Sequence, residues 1–205
     1  KENIKKYDLL IDNIESNEEA KLFKDLEVIL DSKKYFFRVT KNELVGKNKL
    51  FFPRFKNYDL SFNDILDLYN ILLKSIILSL KLRINFVYYT LKLIDEIFYY
   101  KNLFSVVRPK NIIMHQHYLS SNIKNYLFKK NKGKKSCLIQ KNINTLNTNG
   151  FFYDADIFFS IGKFTNNNNK LTFSKIKKNI PVGSIFMHRS KHNINKINKK
   201  NSKKY

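Results

Sequence analysis

The sequence predicts an α/β fold, a Rossmann-like parallel sheet with flanking helices, and three observations support this prediction. Short apolar runs of strand length alternate with amphipathic stretches of helix length from about residue 106 onward. Their spacing is that of βαβ units, whose strands lie parallel. The hydrophobic content of 43% over 205 residues is enough for a sizeable core.

The first 60 residues are predicted to form an irregular region. It contains a short apolar run in "KYDLLIDNI", helical spacing from Asn17 to Leu30, and an aromatic-rich strand in "KKYFFRVT". Gly46 and Pro53 are turn or break signals in "LVGKNKLFFPRF", and one more short strand is possible between them. We therefore assign residues 1–187 to one Rossmann-like domain whose pattern is clearest over residues 103–187.

Two amphipathic stretches follow this region. Ser61 can cap a helix, Asp64 comes three residues later, and apolar positions recur as far as Leu82. The second stretch runs from Phe86 to Tyr100. Charged residues interrupt every window of the roughly 20 residues that a membrane span needs. We predict one long helix or a helical pair that is buried or partly buried, with association at a membrane surface as the alternative.

The remaining elements follow a regular order. Strands are predicted at 111–114 and in "KSCLIQ", "DADIFFSIG" and "NIPVGSIF", and a capped helix in "SSNIKNYLFKKNKG" is predicted to end at Gly133. A polar loop and a short helix are expected in "KFTNNNNKLTFSKIKK". Residues 188–205 are rich in Lys, Asn and Ser and predict a linker or tail, because they cannot bury enough apolar surface to fold alone.

The net charge of +22 would attract polyanions such as nucleic acid or an anionic membrane. The chain has 34 Lys, five Arg and 27 Asn, however, and A/T-rich codons favour Lys, Asn, Ile, Phe and Tyr. Mutational bias can therefore explain the charge without a polyanionic partner. Arg, the residue that suits bidentate recognition of bases and phosphates, is scarce. A basic, non-catalytic module that binds nucleic acid or an anionic membrane stays the alternative function, and nucleic acid is the less favoured of its two ligands.

The single cysteine, Cys137, excludes an intrachain disulfide and a Cys-based zinc site within this chain. It lies in an apolar run and is predicted to be a buried, unreactive thiol in a reducing, cytoplasmic setting. The sequence has no glycine-rich P-loop, dinucleotide fingerprint or nucleophile elbow. We therefore expect no cofactor and find no support for a hydrolase.

His115 and His117 are the first candidate site residues, since ligands of open α/β sheets bind beyond the carboxyl ends of strands. Two residues apart on an extended backbone, they face the same side. They could share a metal ion, line a pocket or be structural. A metal is the least favoured of these, because the further ligands that zinc requires are not spaced to join the pair.

The other candidate binding residues also follow predicted strands. Ser120 and Ser121 stand at a helix start, where free amides could hold an anion, although capping by serine satisfies the same amides. The amides after "KSCLIQ" suit hydrogen bonds to sugar hydroxyls and equally suit a surface loop. Asp154 and Asp156 begin a strand and are predicted to be structural. The candidate substrate-binding residues are Gln116, Ser120, Ser121, Gln140, Asn142, Asn144, Gly183 and Ser184.

The order of these segments resembles the N-terminal domain of bacterial glycosyltransferases of the GT-B architecture that build surface or capsular polysaccharide. The resemblance covers about residues 103–187. It rests on Pro109, Ile112, Ile113, Gln140, Asp156, Phe158, Phe159, Gly162, Val182, Gly183 and Ser184. The chain departs from the family at Lys141 and Asn142, where the family usually has His-Gly, so any role of that histidine cannot be carried over.

The resemblance implies the acceptor-side domain of a two-domain enzyme, with a nucleotide-sugar donor held by a C-terminal domain that this chain lacks. We therefore expect a fragment of a glycosyltransferase that acts on a glycan or lipid-linked acceptor, in the cytoplasm or at the inner face of the cell membrane. His115 or His117 is the hypothetical base, since imidazole titrates near neutral pH. Because the His-Gly pair is missing, a degenerate, non-catalytic member of this family is an alternative.

Overall fold

The structure is a computed structural model, and it describes residues 7–23, 35–46, 48–52, 61–115, 121–141, 152–163 and 174–184. The described residues form seven strands: β1 Leu9–Ile14, β2 Tyr35–Val39, β3 Lys49–Phe51, β4 Asn111–Met114, β5 Lys135–Ile139, β6 Asp154–Ser160 and β7 Lys175–Pro181. The α-helices are α1 Asn17–Lys21, α2 Phe62–Leu82, α3 Phe86–Val106 and α4 Ser121–Lys130, and a 3-10 turn spans Asn42–Leu44.

The seven strands form one parallel sheet in the order β3-β2-β1-β4-β5-β6-β7. The predicted Rossmann-like α/β fold is therefore confirmed. The chain runs outward from β1 to β3, crosses back, and runs outward again from β4 to β7. The neighbouring strands β1 and β4 thus form the topological switch point, which is where open α/β sheets bind their ligands.

Each face of the sheet has its own apolar core. On one face, α3 and α4 cover a cluster that includes Leu103, Phe104 and Phe128. On the other face, α1 and Phe23 pack against residues of β1 and β2. The inner strands are buried on both faces of the sheet, which explains why their sequences are continuous apolar runs.

Two predictions of local structure are corrected. The N-terminal region, predicted to be irregular overall, supplies three of the seven strands. The strand predicted in "KKYFFRVT" is confirmed as β2, and the possible short strand between Gly46 and Pro53 is confirmed as β3, whereas β1 was noted only as an apolar run. The short helix predicted in "KFTNNNNKLTFSKIKK" is wrong over residues 175–178, which belong to β7, and residues 164–173 of that segment lie outside the described residues. The fourth predicted strand overlaps β7 only at residues 179–181. The lysines of β7 explain the error: it is an edge strand, where charged side chains discourage pairing with other chains.

The ends of the helices follow their capping residues. Ser61 and Asp64 form the predicted capping box at the start of α2. A connection with Arg83 in the left-handed region separates α2 from α3, so the stretch is a helical pair. Helix α4 ends at Lys130, three residues before the predicted end at Gly133. Lys132 takes the left-handed conformation (φ 64°), its amide donates to the Lys129 carbonyl, and the Gly133 amide donates to the Phe128 carbonyl. These two bonds are those of a Schellman cap.

The prediction that α2 is buried or partly buried is wrong for most of its length. Only Ser75 of α2 is buried, whereas many of its Leu, Ile and Phe side chains are exposed. Within the described residues, no helix has both the length and the apolar character needed to cross a membrane.

Candidate functional site

Three side chains meet at the carboxyl edge of the sheet, beside the switch point. His115 directly follows β4, Glu19 lies in α1 just after β1, and Lys141 follows β5. His115 Nε2 lies 3.5 Å from Glu19 Oε1, and Lys141 Nζ lies 3.2 Å from the same oxygen. We call Glu19, His115 and Lys141 the switch-point cluster.

Packing fixes the position of the histidine. The imidazole is 1% exposed, and its ring meets Phe23 edge to face at 5.5 Å between centroids. Glu19 is held in turn, because the Glu15 amide donates to its Oε2 at 2.8 Å and the Ser16 side chain caps its amide. The side chains of Glu19 (13% exposed) and Lys141 (24%) are therefore the accessible members of the cluster, and His115 lies behind them.

Burial favours a neutral imidazole at His115, whereas hydrogen bonds and neighbouring charges favour an ionised carboxylate at Glu19. Burial lowers the pKa of His115 by more than the charge of Glu19 raises it. Burial also acts to raise the pKa of Glu19. The hydrogen bond from the Glu15 amide, the neighbouring His115 and the contact with Lys141 outweigh it, so the pKa of Glu19 is lowered. Near pH 7 the site thus offers two proton acceptors and one cation.

Gln140 ties the neighbouring strand ends together. Its backbone amide donates to the Phe159 carbonyl at 2.9 Å, and its side-chain oxygen accepts from the Ile161 amide at 2.8 Å. The residue is buried. Its side-chain oxygen therefore fixes the edge next to Lys141 rather than pointing at a ligand.

The structure brings together only some of the predicted site residues. Gly183 (φ 78°) and Ser184 follow β7 at the same edge, but three strand spacings separate β7 from β4, roughly 14 Å. Ser121 begins α4, as predicted. The predictions for Gln116, His117, Ser120, Asn142 and Asn144 fall outside the described residues.

A second group of charges lies buried on the opposite face of the sheet. Arg38 donates through Nε to Asp12 Oδ1, and Lys124 Nζ lies 2.8 Å from Asp12 Oδ2. Arg38 also donates to the Tyr99 hydroxyl at 2.8 Å and to Asn13 Oδ1 at 3.0 Å. These contacts join β1, β2, α3 and α4.

This buried group is a structural network with one more positive than negative charge. Burial acts to raise the pKa of Asp12, yet the charges of Arg38 and Lys124 hold it well below its usual range. Burial likewise acts to lower the pKa of Lys124, and Asp12 raises it. Asp12, Arg38 and Lys124 are each at most 5% exposed, so no ligand reaches them in this conformation.

Asp156 and Asp154 have the structural roles that the sequence suggests. Asp156 accepts from Lys129, from Lys177 Nζ at 2.7 Å and from the Ser136 amide at 2.9 Å. Asp154 accepts from Asn125 at 2.7 Å. Both lie toward the amino end of the sheet, away from the switch point. Cys137 is only partly buried rather than buried as predicted, and burial raises the pKa of its thiol.

A cavity of about 570 Å³ lies between α2, α3 and α4. Its walls combine apolar side chains such as Ile71 and Phe98 with charged ones, and two of the lining residues, Lys101 and Asp64, form an ion pair. It lies on the outer side of the helical layer, remote from the switch-point cluster.

Comparison of the chain with protein-family models, with curated proteins and with solved structures gave no match. Among the residues that the structure describes, no group of three or more His, Cys, Asp or Glu side chains is placed to hold a metal ion.

The sequence patterns do not predict Glu19 as a site residue, and they mark Lys141 only as a departure from the family. The end of β1, next to which Glu19 lies, falls in the region for which an irregular structure is predicted. The signal was present: "NEEAK" follows an apolar run, as His115 does. Single charges inside two apolar strands, in "LLIDNI" and "YFFRV", likewise point to Asp12 and Arg38 as a buried pair.

Proposed function

We propose that the chain is the acceptor-side domain of a glycosyltransferase that transfers a sugar from a nucleotide-sugar to a surface polysaccharide or lipid-linked acceptor. The observation that carries the proposal is the switch-point cluster, a carboxylate, an imidazole and an ammonium at the edge where Rossmann-like sheets bind ligands. The sequence resemblance supplies the reaction class. A second Rossmann-like domain would hold the donor opposite this edge.

The chemistry of transfer gives the cluster its proposed role. The acceptor oxygen forms a bond to the anomeric carbon while the bond from that carbon to the nucleoside diphosphate breaks. The acceptor must lose its proton to a base as this happens. Glu19 reaches the hydroxyl from the accessible side, and neutral His115 behind it shares the proton. Lys141 fixes the carboxylate and offers a donor to a neighbouring sugar oxygen.

Lys141 also bears on the departure from the family pattern. It stands where the family usually has a histidine, and its side chain contacts the carboxylate that His115 contacts. In this proposal His115 supplies the imidazole from the neighbouring strand, and Lys141 is its partner across Glu19.

Binding of acceptors to this chain is the first test. Saturation-transfer NMR with a panel of short glycans should show contact with the wild type and at least tenfold weaker binding for Glu19→Gln and Lys141→Met. The control Lys178→Gln, on the distant edge strand, should bind like the wild type. Binding of nucleotides in place of glycans, with the same variants affected, would contradict the acceptor-side role.

The base hypothesis is tested separately, in protein that includes a donor-binding domain. Transfer of labelled sugar by His115→Gln should fall by roughly 10²–10⁴, the usual range for general-base catalysis. Parallel His115→Ala and His117→Ala variants compare the two histidines. Wild-type turnover in both would remove the histidines from the mechanism and leave the binding role standing.

A further inference from the structure

The α2–α3 hairpin carries a large apolar surface that the rest of the described structure does not cover. We call residues 76–93 the hairpin tip. Ten of its large apolar side chains are exposed, and Leu80 reaches 77%: Ile76, Ile77, Leu78, Leu80, Leu82, Ile84, Tyr88, Tyr89, Leu91 and Leu93. Soluble monomers rarely expose contiguous apolar patches beyond a few hundred Å². Ten large apolar side chains exposed on one hairpin indicate a binding surface.

The hairpin tip lies at the end of α3 that does not enter the apolar core. The residues of α3 that enter the core are Tyr99, Tyr100, Leu103 and Phe104, all near its C-terminal end. Phe86, at the start of α3, lies roughly 20 Å along the helix from Tyr99. In the described structure, the core contacts of α3 are therefore far from the tip.

The connection at the tip is held by side-chain hydrogen bonds. The Phe86 amide donates to Ser79 Oγ at 2.9 Å, and the Tyr88 amide donates to Asn85 Oδ1 at 3.2 Å. The tip is thus an ordered element with a defined surface.

The charges on the hairpin indicate which class of partner it binds. Residues 68–94 contain four basic residues, Lys74, Lys81, Arg83 and Lys92, and no Asp or Glu. Two copies of this chain would repel one another at such a surface. A nucleic acid would satisfy the cations but not the exposed Leu and Ile side chains. An anionic lipid surface satisfies both, because apolar side chains enter the acyl boundary while Lys and Arg extend to the head groups.

We propose that the hairpin tip inserts into the surface of an anionic lipid bilayer and holds the domain there as a peripheral membrane protein. The helices lie in the interface, with Tyr88 and Tyr89 at head-group depth, where tyrosine is enriched. This proposal stands independently of sugar transfer, although a lipid-linked acceptor would lie at the same surface.

Vesicle co-sedimentation of the full chain tests the proposal. We expect binding to phosphatidylcholine vesicles containing about one quarter phosphatidylglycerol and little binding to phosphatidylcholine alone. Lys81→Gln/Lys92→Gln should weaken binding by at least about tenfold, since each cation near an anionic surface strengthens binding roughly fivefold. The apolar variant Leu80→Gln/Ile84→Gln should weaken it as much. Matched controls, Lys130→Gln/Lys178→Gln and Val45→Gln/Val182→Gln, should bind like the wild type.

Fluorescence gives a second readout, because the chain contains no tryptophan. With Leu80→Trp, the emission should shift to the blue on anionic vesicles, whereas Val45→Trp should show no shift. The proposal is overturned if the Leu80→Gln/Ile84→Gln variant binds vesicles normally, which would leave charge alone as the cause of binding. The proposal is also overturned if the wild type does not bind anionic vesicles. That includes the outcome in which light scattering shows a dimer of the wild type that Leu80→Gln/Ile84→Gln dissociates, since the hairpin tip would then bind a second copy of the chain.

Discussion

His115 Nε2 lies 3.5 Å from Glu19 Oε1, and this contact joins the end of β4 to the helix that follows β1. The two residues come from opposite sides of the switch point, so only the parallel sheet order brings them together. Their pairing beside Lys141 is the basis of the proposed acceptor site. The same pairing has a consequence for stability that can be measured without a ligand.

Stability should fall as the pH drops below the ordinary histidine range. Burial lowers the pKa of His115 in the folded state, so the unfolded chain binds more protons below its ordinary pKa of about 6.5. The contribution of His115 is therefore complete above that pH and is lost as the pH falls toward the folded-state pKa. Glu19, whose folded pKa is also lowered, adds a loss only below about pH 4.5.

Urea unfolding of the wild type and of His115→Gln at about pH 7.5 and about pH 5.5 measures this effect. The wild type should lose more stability between the two pH values than the variant does. Equal losses would show that His115 titrates as freely in the folded protein as in the unfolded chain.

The buried Asp12–Lys124 pair should be important for stability. Asp12→Asn removes the anion of the network and leaves Arg38 and Lys124 buried without an opposite charge, and breaking a buried ion pair in this way typically costs about 3–5 kcal/mol. The exposed pair between Lys21 and Glu18 is the matched control, because such surface pairs contribute about 0–1 kcal/mol. Urea unfolding of Asp12→Asn and Glu18→Gln compares the two, and similar losses would argue against the buried network.

The capping box at Ser61 should stabilise α2. Hydrogen bonds from Lys101 and Ser61 hold the pKa of Asp64 at about 2, and the Ser61 side chain accepts from the Asp64 amide. Ser61→Ala should lower the free energy of unfolding by about 1 kcal/mol. Ser105→Ala, at an exposed position in the last turn of α3, serves as the control and should change stability little. Thermal unfolding distinguishes them, and a neutral Ser61→Ala would mean that the start of α2 frays in solution.

Opposite effects are expected at two adjacent positions after α4. A Cβ added to Gly133 would lie 2.3 Å from atoms of the buried Phe128 ring, so Gly133→Ala should be destabilising. Lys132→Gly should instead stabilise by up to about 1 kcal/mol, because Lys132 holds a left-handed conformation that glycine adopts without strain. Urea midpoints of the two variants should move in opposite directions, and a shift of both in one direction would contradict this cap.

An element of the fold is predictable from the sequence when the residues that mark it lie within or next to that element. The strands β4, β5 and β6 and the helix α4 are predictable because apolar runs, caps and turns mark them within a few residues. β7 is harder to predict, since its lysines give it the composition of a solvated segment. The contact between Glu19 and Lys141 joins residues 122 positions apart, and no local pattern encodes it.

The candidate site shows the same division. His115 could be predicted because it follows an apolar strand, and ligands bind at strand ends. Its partner Glu19 could not be paired with it until the strand order was known. The exposure of the hairpin tip is also a tertiary property: the apolar spacing of α2 predicts a buried face, and only the packing of α3 shows that most of α2 has no core to enter.

The most direct test of the acceptor site is NMR of the isotopically labelled histidines during glycan titration. The chain has four histidines, and His115→Gln identifies the signal of His115 by its loss. We predict that acceptor glycans shift the His115 signal, that Glu19→Gln abolishes the shift, and that nucleotides leave it unchanged. An unchanged His115 signal while a glycan binds, or a shift caused by nucleotides alone, would contradict a sugar-acceptor site at the switch point.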